Sequence, residues 1–144
     1  MIIYKSPTSS AEFEDYFSFR WKMLRSPLNL PRGSERDAIE KNSFHIAAYH
    51  EKTIIGVGRL QIEPNHSARI RYMAVDDDYQ NQGVGSSILI RLEGFAQTNN
   101  LRICWLYARE KAIKFYSKNG YAVKGESKSE LSELKHKRME KSLN

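Results

Sequence analysis

At 144 residues the chain is the size of one ordinary domain, read as a single unit over 1–144 that is long enough to bury a core. With 40% hydrophobic and 28% charged residues it has a folded composition, and its one cysteine, Cys104, excludes an intramolecular disulfide and suits a reducing compartment. The formal net charge of +6 fits a solvated basic face, a polyanionic ligand or nucleic acid, but no basic block is interleaved with the aromatics that nucleic-acid stacking needs.

After Met1-Ile2-Ile3-Tyr4 the chain turns polar, so neither a signal peptide nor a membrane span is expected, and a cytoplasmic location follows. Residues 2–5 read as a short strand. Ser9 and Glu12 have capping-box spacing, and Phe13, Phe17, Trp21 and Leu24 then recur at helical spacing to about Arg25. Pro27 and Pro31-Arg32-Gly33 break that helix, and a short second helix is predicted near Glu35–Lys41. Ser43–His50, Thr53–Glu63 and Ser67–Asp76 read as an antiparallel meander with short polar turns. In the third strand Ile70, Tyr72 and Ala74 are expected on one face, with Arg69, Arg71, Met73 and Val75 on the other.

Val84, Ile88, Leu92 and Phe95 make the next helical stripe, and Arg102–Tyr107 reads as a buried strand. Strand, helix and strand over 67–107 imply a right-handed crossover with one parallel pair. A helix at Glu110–Lys118 ends on Asn119-Gly120, and strands near Tyr121–Glu126 and Glu133–Ser142 close the chain. The fold class is α+β: a central mixed sheet, mostly antiparallel, flanked by helices.

The chemistry centres on Gln80-Asn81-Gln82-Gly83-Val84-Gly85-Ser86, which follows a strand and opens a helix. Free amides and the positive dipole end of a helix bind phosphate, and glycines at 83 and 85 would let the backbone approach a ligand. Two glycines fall short of the dinucleotide fingerprint, and Ser86-Ser87 stands where a P-loop needs Lys-Ser/Thr.

The turn instead resembles the Q/R-x-x-G-x-G/A signature of the GNAT N-acetyltransferase superfamily. Ala112-Ile113-Lys114-Phe115-Tyr116 through Gly120-Tyr121 is similar to that superfamily's A-x-x-F-Y-x-x-x-G-F/Y signature. Ile70–Val75 resembles the strand before the loop, and His136-Lys137-Arg138-Met139 resembles an H-x-x-M ending of some members. Residues 24–37, His45 and Gly58–Gln61 are loosely similar to ElaA-like members.

The resemblance implies acetyl-coenzyme A as co-substrate and a primary amine of a small molecule or protein as acceptor. It implies that backbone amides within Gln80, Asn81, Gln82, Gly83, Val84, Gly85 and Ser86 hold the pyrophosphate. The backbone of Met73, Ala74 and Val75 would pair with the pantetheine arm, one amide there steadying the oxyanion. Tyr116 would be the general acid toward the thiolate, a phenol of pKa about 10 facing a thiol of about 8–9. For the base, Glu63, His45 and water alone all stay open, since Arg69 and Arg71 occupy the strand where some members carry a glutamate. Arg109 replaces a frequent asparagine; it either meets a phosphate or is a solvated helix-start residue. The acceptor region, Phe13–Lys41, holds Arg20, Arg25, Arg32 and Arg36 against Glu35, Asp37 and Glu40; these arginines either favour an acceptor bearing a carboxylate or phosphate or are solvated side chains. No metal is expected, a homodimer is left open, and the rival readings are a coenzyme A-binding sensor or scaffold and a basic RNA-binding domain.

Overall fold

The alternating residues over 44–75 fold as the expected meander in the computed structural model, which describes residues 1–128 and 135–143. Its strands are β2 (Phe44–His50), β3 (Thr53–Glu63) and β4 (Ser67–Val75), with β1 (Ile2–Lys5) added antiparallel to β2. After helix α2 (Val84–Thr98), β5 (Ile103–Arg109) returns parallel to β4, the one parallel pair among the described strands. β6 (Ala122–Lys128) and β7 (Lys135–Ser142) form the last hairpin, and β7 inserts beside β5, giving the order β1-β2-β3-β4-β5-β7-β6. Glu133 and Leu134, expected in the last strand, lie outside the described residues.

The first helix, α1 (Ser10–Leu24), starts with both capping-box bonds: the Glu12 amide donates to Ser9 Oγ at 3.1 Å, and Glu12 Oε1 accepts from the Ser9 amide at 3.3 Å. Its Tyr16, Phe17 and Phe19 pack on Ala47 and Val57, forming a small core on one face of the sheet. The larger core lies on the other face, where Val84, Ile88, Leu89 and Leu92 of α2 meet Ile46, Ile55, Leu60, Ile70, Cys104 and Leu106. None of the described helices is long and apolar enough to cross a membrane.

Two elements differ from the sequence reading. Residues 35–41 form no helix; only a single 3-10 turn, Glu40–Asn42, appears there. Carboxylates take the amides that a helix would have used: Gly33 donates to Glu35, Asp37 to Glu40 and Ile39 to Asp37. The helix expected over 110–118 starts late, because β5 extends to Arg109 and a 3-10 turn at Glu110–Ala112 precedes α3 (Ile113–Lys118).

Candidate active site

The site begins with a kink in β4. Arg59 of β3 faces Arg71 and Val57 faces Ala74, so Tyr72 and Met73 together stand opposite Gly58. Tyr72 adopts a left-handed φ of 58°, uncommon for a bulky residue, and the extra residue is a β-bulge. The bulge overturns the expected alternation. Met73 and Val75 pack with Ile70 on the α2 face, whereas Tyr72 joins the α1 face among Arg20, Arg25, Arg59 and Arg71.

β4 parts from β5 just ahead of the bulge. The parallel pairing covers only Ser67, Ala68 and Arg69 against Ile103, Cys104 and Trp105. From Ile70 to Val75 the edge of β4 that faces β5 pairs with no strand among the described residues, while β5 continues against β7 to Arg109. The two strands therefore form a fork in the middle of the sheet, and Met73, Ala74 and Val75 line one prong.

The fork leads to the start of α2. Gly83 is the N-cap residue with a left-handed φ of 80°, no side chain caps the helix, and the Ser87 amide is the first to bond back, to Gly83 O at 3.0 Å. The amides of Val84, Gly85 and Ser86 are left without helical acceptors. The loop is braced on itself: Gln80 donates to Val75 O and Asp77 Oδ1, and Gln82 to Asp78 O. A left-handed Asn81 (φ 63°) turns the chain between them. Gly85 has a different reason from the expected one. A Cβ there would lie 2.8 Å from Phe115, so the glycine admits a ring, while Gly83 supplies the backbone conformation.

Phe115 ties α3 to α2 and carries its neighbour Tyr116 onto the same face. The Tyr116 ring lies edge-on to Phe115 and Tyr121, its hydroxyl has no hydrogen-bond partner among the described residues, and burial pushes its pKa up from the usual phenol value. It is a protonated donor with no partner among the described residues. Cys104 is core: burial pushes its thiol up to about 12.

Neither side chain expected as a base stands free at the fork. His45 is buried, with Nε2 2.7 Å from Glu40 O and Nδ1 2.9 Å from Tyr16 Oη. A carbonyl only accepts, so Nε2 donates to Glu40, and Nδ1 is held against the Tyr16 hydroxyl, which itself donates to Gly58 O at 3.0 Å. Burial also holds its pKa below the usual value. Glu63 faces Ser67, six positions before Met73 and roughly 20 Å along an extended strand. Arg109 is the last residue of β5. Since Cys104, Leu106 and Ala108 face α2, alternation puts Arg109 with Trp105 and Tyr107 on the opposite face, away from the α2 amides.

The charges of the acceptor region prove to be a buried layer on the α1 face, joined to Arg59 of β3, which sequence reading missed. Buried Arg59 binds both Asp37 oxygens, at 2.8 and 2.9 Å, and Glu40 at 2.9 Å; buried Arg20 binds Glu40 at 2.8 Å and Glu35 O at 2.9 Å. These bonds fasten the 33–42 segment to α1 and β3. At the base of the fork Arg69 lies 5.1 Å from both the Trp105 and Tyr107 rings, and Arg138 lies 4.0 Å from Trp105 on its own side. The signal was the pair of i, i+2 patterns Arg69-x-Arg71 and Trp105-x-Tyr107, which meet only once the parallel register is known.

Comparison with known proteins agrees with this architecture. The family described as Acetyltransferase (GNAT) family matches residues 9–121. An uncharacterized N-acetyltransferase, YjcF of Bacillus subtilis (strain 168), is 29% identical over 115 residues, covering 80% of this chain and 81% of that one. A GNAT-family acetyltransferase structure from Staphylococcus aureus Mu50 superposes with a TM-score of 0.83 at 20% identity, covering 100% of both chains. An aminoglycoside 6'-N-acetyltransferase complexed with coenzyme A superposes with a TM-score of 0.82 at 12% identity, over 100% of this chain and 97% of that one.

Proposed function

The chain belongs to the acetyltransferase (GNAT) family, and from that premise we propose that it moves the acetyl group of acetyl-coenzyme A directly to a primary amine. The observation that carries the reading is the unpaired edge of β4 running toward uncapped amides at the start of α2. A row of free strand amides suits an extended amide-bearing arm, and a helix N-terminus suits a diphosphate. The coenzyme A complex of a structural neighbour adds to that reading.

Acetyl-coenzyme A supplies an activated acyl group. The amides of Val84, Gly85 and Ser86 hold its diphosphate, and the backbone of Met73–Val75 holds its arm and offers an N–H to the carbonyl oxygen as the amine adds. The new C–N bond forms as the C–S bond breaks, with the electron pair passing to sulfur. Tyr116 delivers its hydroxyl proton to that sulfur and regains one from solvent. His45 is locked and Glu63 is distant, so the amine gives its proton to water.

The test is thermal unfolding with acetyl-coenzyme A at low and high salt, followed by free-thiol release with a panel of amines. A hundredfold excess over Kd stabilises by about 2.7 kcal/mol. Binding without thiol release for any amine would favour a sensor. No stabilisation, with salt-sensitive RNA binding instead, would overturn the reading.

A further inference from the structure

On the α1 face of the fork, cations outnumber the carboxylates available to them. Arg25 is buried, its guanidinium bonds to the carbonyls of Ser34 and Leu24 and meets Tyr72, 5.4 Å from that ring, and it has no ion pair among the described residues. Arg71 lies over the same ring at 4.7 Å and, among the described residues, makes one loose ion pair, 3.3 Å to Asp37, whose oxygens Arg59 already holds. Arg69 sits next along the strand, with no ion pair among the described residues and with its Nε shut off from solvent and unbonded. Glu63, an acid close enough to act on Arg69, turns an oxygen to the Gln61 amide instead. Arg25, Arg71 and Arg69 thus form a run of like charges in partial burial. Desolvated cations without a counter-ion are costly, and an oxyanion entering from outside relieves that cost.

The run lies where an acceptor would approach. α2 and α3 occupy the other face, from which the coenzyme would enter, so the amine meets the fork from the α1 face. There Arg71 and Tyr72 immediately precede the Met73–Val75 edge. We propose that the acceptor is an amine that also carries an oxyanion, carboxylate or phosphate, and that Arg69, with Arg25 and Arg71 beside it, receives that oxyanion. The inference rests on the acetyltransferase reading and adds the class of its acceptor. If Arg69 were only a plug stacked on Trp105 and Tyr107, charge on the acceptor would not matter.

The experiment uses matched amines that differ in that charge: amino acids against their C-terminal amides, and phosphoethanolamine against ethanolamine. Thiol release is measured at saturating acetyl-coenzyme A, and binding to the protein–coenzyme A complex is measured by calorimetry, which needs no turnover. The anionic member of at least one pair is expected to exceed its neutral partner about tenfold or more in kcat/KM and in affinity, the worth of one charge-assisted hydrogen bond. The better pair tells carboxylate from phosphate. In Arg69→Gln the ratio collapses toward one through KM, and Arg69→Lys restores part of it. Preference for neutral or polycationic amines, or an unchanged ratio in Arg69→Gln, would overturn the inference and leave the enzyme reading standing. If acetyl-coenzyme A itself fails to bind, both fall.

Discussion

Gly85 and Phe115 meet so closely that a Cβ on the glycine would stand 2.8 Å from the ring's Cζ. This contact joins the two sequence signatures, thirty positions apart, and sets how α3 sits against α2. The two glycines of the turn therefore have separable roles. Gly85→Ala is expected to cost about 1–3 kcal/mol by overpacking and to lower turnover by displacing Tyr116. Gly83→Ala meets nothing within 4 Å but strains a left-handed backbone, at about 1–2 kcal/mol. Its main effect is expected to be weaker acetyl-coenzyme A binding. Urea unfolding and calorimetry on both variants check this; binding loss confined to Gly85→Ala would reverse the assignment.

Tyr116→Phe is expected to lower kcat about 10–1000-fold, the range for removing one proton donor, with little change in coenzyme affinity. Burial keeps the Tyr116 phenol protonated beyond its ordinary range. Turnover is therefore expected to rise with pH as the amine deprotonates and then hold level to about pH 10, where an ordinary phenol would titrate. A rate that falls with a pKa well below 10, or an unaltered kcat in the variant, would remove Tyr116 from the reaction.

His45 is expected to matter for stability rather than for proton transfer. Burial lowers its folded pKa, so the unfolded chain binds this proton first. Its contribution to stability is complete above the unfolded value of about 6.5 and is lost as pH falls through the folded value. His45→Asn, which breaks the bonds to Tyr16 and Glu40, is expected to cost about 1–3 kcal/mol at pH 8. The gap between the two proteins should narrow from pH 7 to pH 5. Turnover in the variant, corrected for folded fraction, should keep its pH profile; a lost alkaline-going limb would return His45 to the base role.

The meander, the parallel pair and the glycine turn were legible because each is written locally, as period-2 alternation, helical spacing or a glycine before a helix. What escaped depends on partners distant in sequence. The face of Tyr72 could not be read from β4 alone, since a bulge is defined by the strand opposite it. The missing helix at 35–41 is a local exception: the carboxylates of three acids there take backbone amides two or three positions away. The expectation that His45 or Glu63 acts as base came from residue chemistry; Tyr16 and Glu40, which occupy the histidine, lie on two other elements. The arginine run was counted in part, at Arg25, but its extension through Arg71 to Arg69 needed the register of β3, β4 and β5.

The fork between β4 and β5 also limits what can pair with the bare edge. A bare strand edge normally invites another polypeptide to zip onto it, a common seed of aggregation. Here the bare edge is interior to the sheet, with β5 facing it across the fork. A slim, flexible thread can slide into such a slit; a second peptide backbone, with its side chains, would first have to pry β5 away.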